Sequence, residues 1–305
     1  MPARALCLAI AVLFLSGCVS LQSDLTQART ACLDAPGRWC DFTADLATAS
    51  WRYAQLSQNA YGPKDRKNFQ LLEDIEERKV EDNNSAGLAY AVFDRMEQGD
   101  VAETILAFRG TEFSHLNDWL RGNIGKTQRR QAVEVFDALR MGLDQSGRRE
   151  IPITVAGHSL GGALAMQVSL ERGVPAYIFN SSPRFRPDSV AREARRVSVD
   201  ERGEILRALR RFKRMQVSDG LVINCEAGIR PIGDHSMRRL ADCLTWIAAF
   251  SDETAFASLG RNGIVAPRVN RYCLPANLDL QLPHPGVGGD FPEESVGCDD
   301  AKAQP

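Results

Sequence analysis

Histidine is scarce in this chain, with four in 305 residues, so any chemistry that needs an imidazole has few places to find one. Basic charge in excess is missing too. The formal net charge is −2, without the positive footprint that general nucleic-acid binding requires. No apolar run reaches the ~20 residues that span a bilayer as a permanent helix. Apart from Cys7 and Cys18 near the N-terminus, no cysteine has a CxxC or Cys/His spacing suited to zinc, and no segment repeats. What remains is an ordinary globular balance of 44% apolar and 25% charged residues, enough for one large core or two small ones.

The first residues read as an address. One positive charge at Arg4 precedes "ALCLAIAVLFL", residues 5–15, a secretory-type apolar run. "LSGC", Leu15 to Cys18, resembles the bacterial lipobox. That resemblance implies cleavage before Cys18, lipidation of its new N-terminus and attachment to a membrane; several acyl chains hold firmly because each buried CH₂ contributes ~0.8 kcal/mol. Val19 in place of the inner-membrane retention aspartate points to the outer membrane of a bacterial envelope. The expected organisation is a signal peptide over 1–17, a tether over 18–40, a catalytic domain over 41–261 and an irregular Pro/Gly-rich extension over 262–305.

With Cys7 removed and Cys18 lipidated, Cys32, Cys40, Cys225, Cys243, Cys273 and Cys298 remain. An even number fits an oxidising compartment. Sequence alone leaves the connectivity open, although proximity favours Cys32–Cys40, Cys225–Cys243 and Cys273–Cys298. No metal and no cofactor are expected.

Along the chain, residues 41–62 have helical spacing at Phe42, Leu46, Ala49, Tyr53 and Leu56, ending before Gly62-Pro63. "GLAYAVFDR" and "VAETILAFRG" are β-like runs around the polar "MEQGD", the pattern of a hairpin. A helix with Val133, Phe136, Leu139 and Leu143 on one face follows over 127–145. Next come the strand "IPITVAG", a helix over 160–172 ending at Gly173, the strand "VPAYIFNSS", the short strand "RRVSVD", a helix in "GEILRALRRF", one or two strands in "MQVSDGLVINC", and a closing helix in "HSMRRLADCLTWIAAF". Alternating strands and helices predict an α/β fold with a mostly parallel sheet covered on both faces.

"GHSLGG", residues 157–162, stands between a buried strand and a small-residue helix, the context a nucleophile elbow requires. There Ser159 must occupy a strained turn, and Gly157 and Gly161 leave room where a side chain would clash. A serine hydroxyl is a poor nucleophile until a base takes its proton. His158 adjoins Ser159, so its side chain is expected to point away; His115 precedes the serine and His284 lies between prolines. His235 follows the last strand, in the chain order Ser, acid, His. Two carboxylates compete as its partner: Asp200 at a strand end, and Glu204 before Ile205-Leu206. Asp219 and Asp234 are poorer choices.

"LAFRGTEFSHLNDWLRGNI" (106–124) followed by "ITVAGHSLGGALA" (153–165) resembles the class 3, or fungal-lipase-like, lipase family over roughly residues 45–250. The resemblance implies an α/β-hydrolase fold and an oxyanion hole from Thr111 and the N–H of Leu160. It makes Asp118-Trp119 a packing pair. It also implies hydrolysis of lipid or phospholipid esters through an acyl-serine. Two departures stand out. "VDERGEIL" carries one extra residue and a glutamate where the family has aspartate, and the stretch from Ser159 to His235 is short. Residues 184–214 hold eleven Arg and Lys against five acidic residues; the reading adopted is an exposed helical face with ordinary ion pairing rather than a strip for anionic headgroups. An inactive envelope lipoprotein using the fold for binding and a short-chain esterase or thioesterase are the alternatives.

Overall fold

The computed structural model describes residues 39–82, 87–110, 126–191, 193–210, 215–223, 225 and 233–267. Among them seven strands form one sheet in the order of the chain: β1 (Ile75–Glu81), β2 (Tyr90–Glu97), β3 (Asp100–Phe108), β4 (Ile153–His158), β5 (Ala176–Phe179), β6 (Arg196–Glu201) and β7 (Asp219–Ile223). The first three are antiparallel and β3 to β7 parallel. The α/β expectation therefore holds. The β2–β3 hairpin turns on Gln98 and Gly99, both at positive φ (54° and 90°), the two-residue turn whose twist suits paired strands.

The described helices are α1 (Asp41–Asn59), α2 (Lys126–Gln145), α3 (Leu160–Arg172), α4 (Arg207–Arg210), α5 (Met237–Ala248) and α6 (Glu253–Asn262). Because strands pleat with period two, alternate residues feed two separate cores. Tyr90, Val92, Leu106, Phe108, Val155 and Ile178 meet α2 and α3 on one face. Ala91, Phe93, Ile105, Ala107, Phe179 and Val199 meet α1, α5 and α6 on the other. A sheet laid down in chain order with right-handed crossovers carries all its crossover helices on one side. The opposite face is covered by α1 from before the sheet and α5–α6 from after it. Cross-links join these chain ends: Trp51 Nε1–H donates to Asp252 Oδ2 (2.9 Å), and Gln55 Nε2–H donates to both Thr245 Oγ1 and Ser258 Oγ (2.9 Å each).

Several local expectations are corrected. The first helix ends at Asn59, just before Gly62-Pro63, but Phe42, placed on its buried face, is 41% exposed. Trp51, Ala47 and Ala54 line the core instead, and Trp39, from the predicted tether, joins them. The helix expected in "GEILRALRRF" is described only over its four residues Arg207–Arg210. β1 and α6 were not anticipated.

Candidate active site

Ser159 sits between the last residue of β4 and the first of α3 with φ 58° and ψ −121°, a backbone conformation that L-residues adopt only where the surroundings enforce it. The surroundings are hydrogen bonds and glycines. Ser159 N–H donates to the Phe179 carbonyl (3.0 Å), and its own carbonyl accepts from Ser182 N–H (2.9 Å). A Cβ on Gly157 would fall on the Gly161 backbone, and one on Gly161 would fall on the Phe108 carbonyl. At Gly110 a Cβ would stand 2.7 Å from the His158 carbonyl and 3.0 Å from Ser159 Cβ, so the chain after β3 is pressed against the serine's turn. Leu160 opens α3, where the first N–H groups lack intrahelical partners and the helix dipole is positive.

His235 lies just before α5 and is 1% exposed. Its Nδ1 meets Glu204 Oε2 at 2.8 Å. A carboxylate can only accept, so Nδ1 carries the proton in this pair. Glu204 has a fully buried side chain and accepts also from Leu206 N–H (2.8 Å) and from the Arg210 guanidinium. Asp200, the other candidate acid, faces elsewhere. It accepts from Ser198 Oγ–H (3.1 Å) and lies 3.4 Å from Arg210 Nη2. Glu204, not Asp200, is thus the carboxylate on the His235 ring. Asp219 pairs with Arg195 (3.2 Å) at the far end of its strand.

His158 is not a bystander. Its Nε2 is 2.8 Å from the His235 carbonyl, and its Nδ1 is 2.8 Å from Tyr61 Oη. The carbonyl requires Nε2–H as donor, so Nδ1 accepts from the tyrosine. Asn180, at φ 42°, adds a second tie: its Nδ2–H donates to the Asp234 carbonyl (3.2 Å) while its Oδ1 accepts from Glu201 N–H (2.7 Å). The backbone on which His235 stands is therefore bonded to the residue preceding Ser159 and to the residue following β5.

Burial, seconded by Arg210, pushes the His235 imidazole down to about 3, and burial with the His235 neighbour drives His158 well below the ordinary histidine value. Both rings are neutral at physiological pH, the state a proton acceptor needs. Burial raises the Glu204 and Asp200 carboxyls, and Arg210 pulls both the other way.

Arg210 also corrects the reading of the basic strip as an exposed face. Its side chain is 7% exposed and donates to the Ser181 carbonyl (2.7 Å) and to Glu204, with Asp200 an ion-pair neighbour at 3.4 Å. Arg196 is buried too, on the Ser169 hydroxyl (2.8 Å) and carbonyl (3.1 Å). Sequence reasoning missed Tyr61, Asn180 and Arg210 as parts of the site. Tyr61 falls at the end of the expected first helix and Asn180 at the end of the strand run "VPAYIFNSS", and nothing in the basic run distinguishes the one arginine that turns inward.

Cys225 and Cys243 form the predicted disulfide, with Cα atoms 5.9 Å apart, closing the segment that carries His235. Cys40 is disulfide-bonded. Thr111, Asp118, Trp119, His115, His284, Cys18, Cys32, Cys273 and Cys298 lie outside the described residues. Among the described residues no group of three or more His, Cys, Asp or Glu side chains could hold a metal ion.

Comparison with known proteins gives a family match: the phospholipase-like family, described as the Tle-like phospholipase domain, matches residues 47–211. No curated protein matches the chain. Solved structures similar to it include a lipase from Rhizopus microsporus var. chinensis (16% identity, 54% of this chain and 67% of that one, TM-score 0.39). Others are the triacylglyceride lipase of Rhizomucor miehei (16%, 54% and 73%, TM-score 0.37) and a triacylglycerol lipase from Penicillium expansum (14%, 61% and 81%, TM-score 0.40).

Proposed function

The chain belongs to the phospholipase-like family of the Tle-like phospholipase domain, which makes it an ester hydrolase acting on lipids, and from that premise we propose an acyl-serine mechanism in which Ser159 is the nucleophile, His235 the base and Glu204 the acid. One observation carries the assignment. A buried, neutral imidazole has Nδ1 on a carboxylate at 2.8 Å and a backbone carbonyl bonded to the residue that precedes the strained serine.

In this mechanism Nε2 of His235 takes the proton from Ser159 Oγ as Oγ bonds to the ester carbonyl carbon. Glu204 steadies the imidazolium that results. The negative charge that builds on the carbonyl oxygen is met by the Leu160 N–H at the head of α3 and by Thr111, each such donor contributing ~3 kcal/mol to the transition state. The imidazolium then protonates the leaving alcohol. Water, activated by the same ring, releases the fatty acid and restores Ser159.

For the setting, the sequence around Cys18 supports a chain lipidated at that residue and held at the bacterial envelope, on the outer membrane. Among the described residues no helix is long and apolar enough to cross a membrane. Cys18→Ala tests the anchor: it should move the protein from the membrane fraction to the soluble one.

The catalytic reading is tested with a fluorophosphonate probe and a phospholipid or p-nitrophenyl ester substrate. Wild type should be labelled on the peptide that contains Ser159 and should hydrolyse the ester, and Ser159→Ala should do neither. Equal hydrolysis by both proteins would refute it.

A further inference from the structure

Glutamate is one methylene longer than aspartate, and its carboxyl can swing where an aspartate is held by its own backbone. A side chain used to orient an imidazole must not swing. At Glu204 three donors converge on two oxygens: Leu206 N–H and His235 Nδ1–H on Oε2, and the Arg210 guanidinium on Oε1. Arg210 is itself fixed by the Ser181 carbonyl (2.7 Å), one residue before Ser182, whose N–H holds the Ser159 carbonyl. A planar fork suits this double duty as an ammonium would not.

We propose that Arg210 is a positioning residue for the reaction: its guanidinium clamps the Glu204 carboxylate onto His235 and ties that pair to the turn behind the nucleophile. This rests on the reading of Ser159, His235 and Glu204 as the reacting set. Arg210 has no contact with the reacting atoms in this scheme and acts only through Glu204. The charged and titratable groups facing the pair are Arg207 and Arg210 beside Glu204, Asp200 from β6, and His158 from β4, with Tyr61 behind it. Arg210 lowers the pKa of both Glu204 and His235, which favours a charged carboxylate and a neutral ring, so the charge acts in the same direction as the geometry.

The test compares the pH dependence of kcat/KM in wild type, Arg210→Lys, Arg210→Gln and Arg210→Met, with active sites counted by fluorophosphonate labelling. Wild type should show no acid limb above pH ~5, because the base sits far below the ordinary histidine value of about 6.5. Loss of the charge in the Gln and Met variants should move the limb up, because a positive charge beside the ring disfavours the imidazolium. In these variants kcat per labelled site should fall, with KM within about twofold. The Lys variant keeps the charge and should keep the limb while losing part of kcat.

An unmoved limb in a folded Gln or Met variant overturns the proposal. So does failure of both uncharged variants to fold beside a soluble Lys variant, since that assigns Arg210 to the fold alone. Absence of labelling in wild type is a different failure: it removes the acyl-serine reading itself, and the clamp with it.

Discussion

Glu204→Gln separates the two carboxylates that sequence could not rank. The side chain at 204 is fully buried and accepts from three donors, Leu206 N–H, Arg210 and His235 Nδ1–H. Glutamine has one acceptor oxygen. If that oxygen serves Arg210, the amide N–H₂ faces both Leu206 N–H and the ring, and the imidazole must present a lone pair at Nδ1 and carry its proton on Nε2, the nitrogen needed to receive one. Wrong-tautomer triads of this kind lose about 10⁴ in kcat, or ~5.5 kcal/mol of barrier. If the amide turns the other way, its N–H₂ meets the guanidinium donor to donor. The stability loss should be smaller than the ~3–5 kcal/mol of a broken buried ion pair, because Asp200 stays 3.4 Å from Arg210; ~2 kcal/mol corresponds to a fall in Tm of about 4–8 °C. The assay is kcat on a soluble ester at pH 7.5, at a temperature below the variant's melting transition, beside Asp200→Asn. A folded Glu204→Gln within about tenfold of wild type, with Asp200→Asn the slower enzyme, would refute the assignment and hand the role to Asp200.

Gly161→Ala should fail to give folded, probe-reactive protein, since its Cβ would occupy the Phe108 carbonyl; overpacking against main chain of this severity costs at least ~3 kcal/mol, and soluble yield and labelling report it. Reducing Cys225–Cys243, which spans 18 residues, should remove ~3 kcal/mol and lower Tm by about 6–12 °C, read by thermal melts with and without reductant. Asp242, paired with Arg238 at 2.9 Å, has its carboxyl raised by burial to about 6. Its folded value lies above its unfolded one, so the stability it contributes is complete below pH ~4 and is lost as pH rises through 6. Asp242→Asn should therefore raise Tm by about 2–4 °C at pH 7.5, the yield of ~1 kcal/mol, and not at pH 4; a larger loss at pH 7.5 than at pH 4 would contradict this.

The elbow was legible because its constraint is local: two glycines and a serine must meet one strained turn, and the strand and helix around them carry clear periods. His235 was legible by scarcity. The choice between Asp200 and Glu204 was not, because one stands at the end of β6 and the other just after it, and the distinction depends on where a chain 31 residues beyond Glu204 brings its imidazole. β1 escaped notice because it is an edge strand. Its one buried residue, Ile75, is followed by four charged and exposed positions, with Val80 only partly buried, which blunts a sheet edge and also erases the apolar alternation that marks a strand. α6 did leave a signal: Asp252 accepts from Thr254 and Ala255 N–H at its head, and Gly263 stands at φ 60° at its tail, a cap and a stop that bracket ten residues. Arg210 could not have been found, since a run of arginines looks like solvent-facing charge until one of them is seen to turn inward.

A sheet whose strands are added one beside the next stays half-dressed during synthesis. Everything needed to shape the serine's turn has been made by Ser182, yet the cover on the α1 side of the sheet is incomplete until the chain has reached its last described helix, and the Trp51–Asp252 bond that fastens that cover spans 201 residues. The scaffold of the nucleophile can therefore form early, whereas His235 is seated only when the two ends of the domain meet. A shortened polypeptide that stops before α6 would carry the serine but keep a wet, unfastened apolar surface behind it.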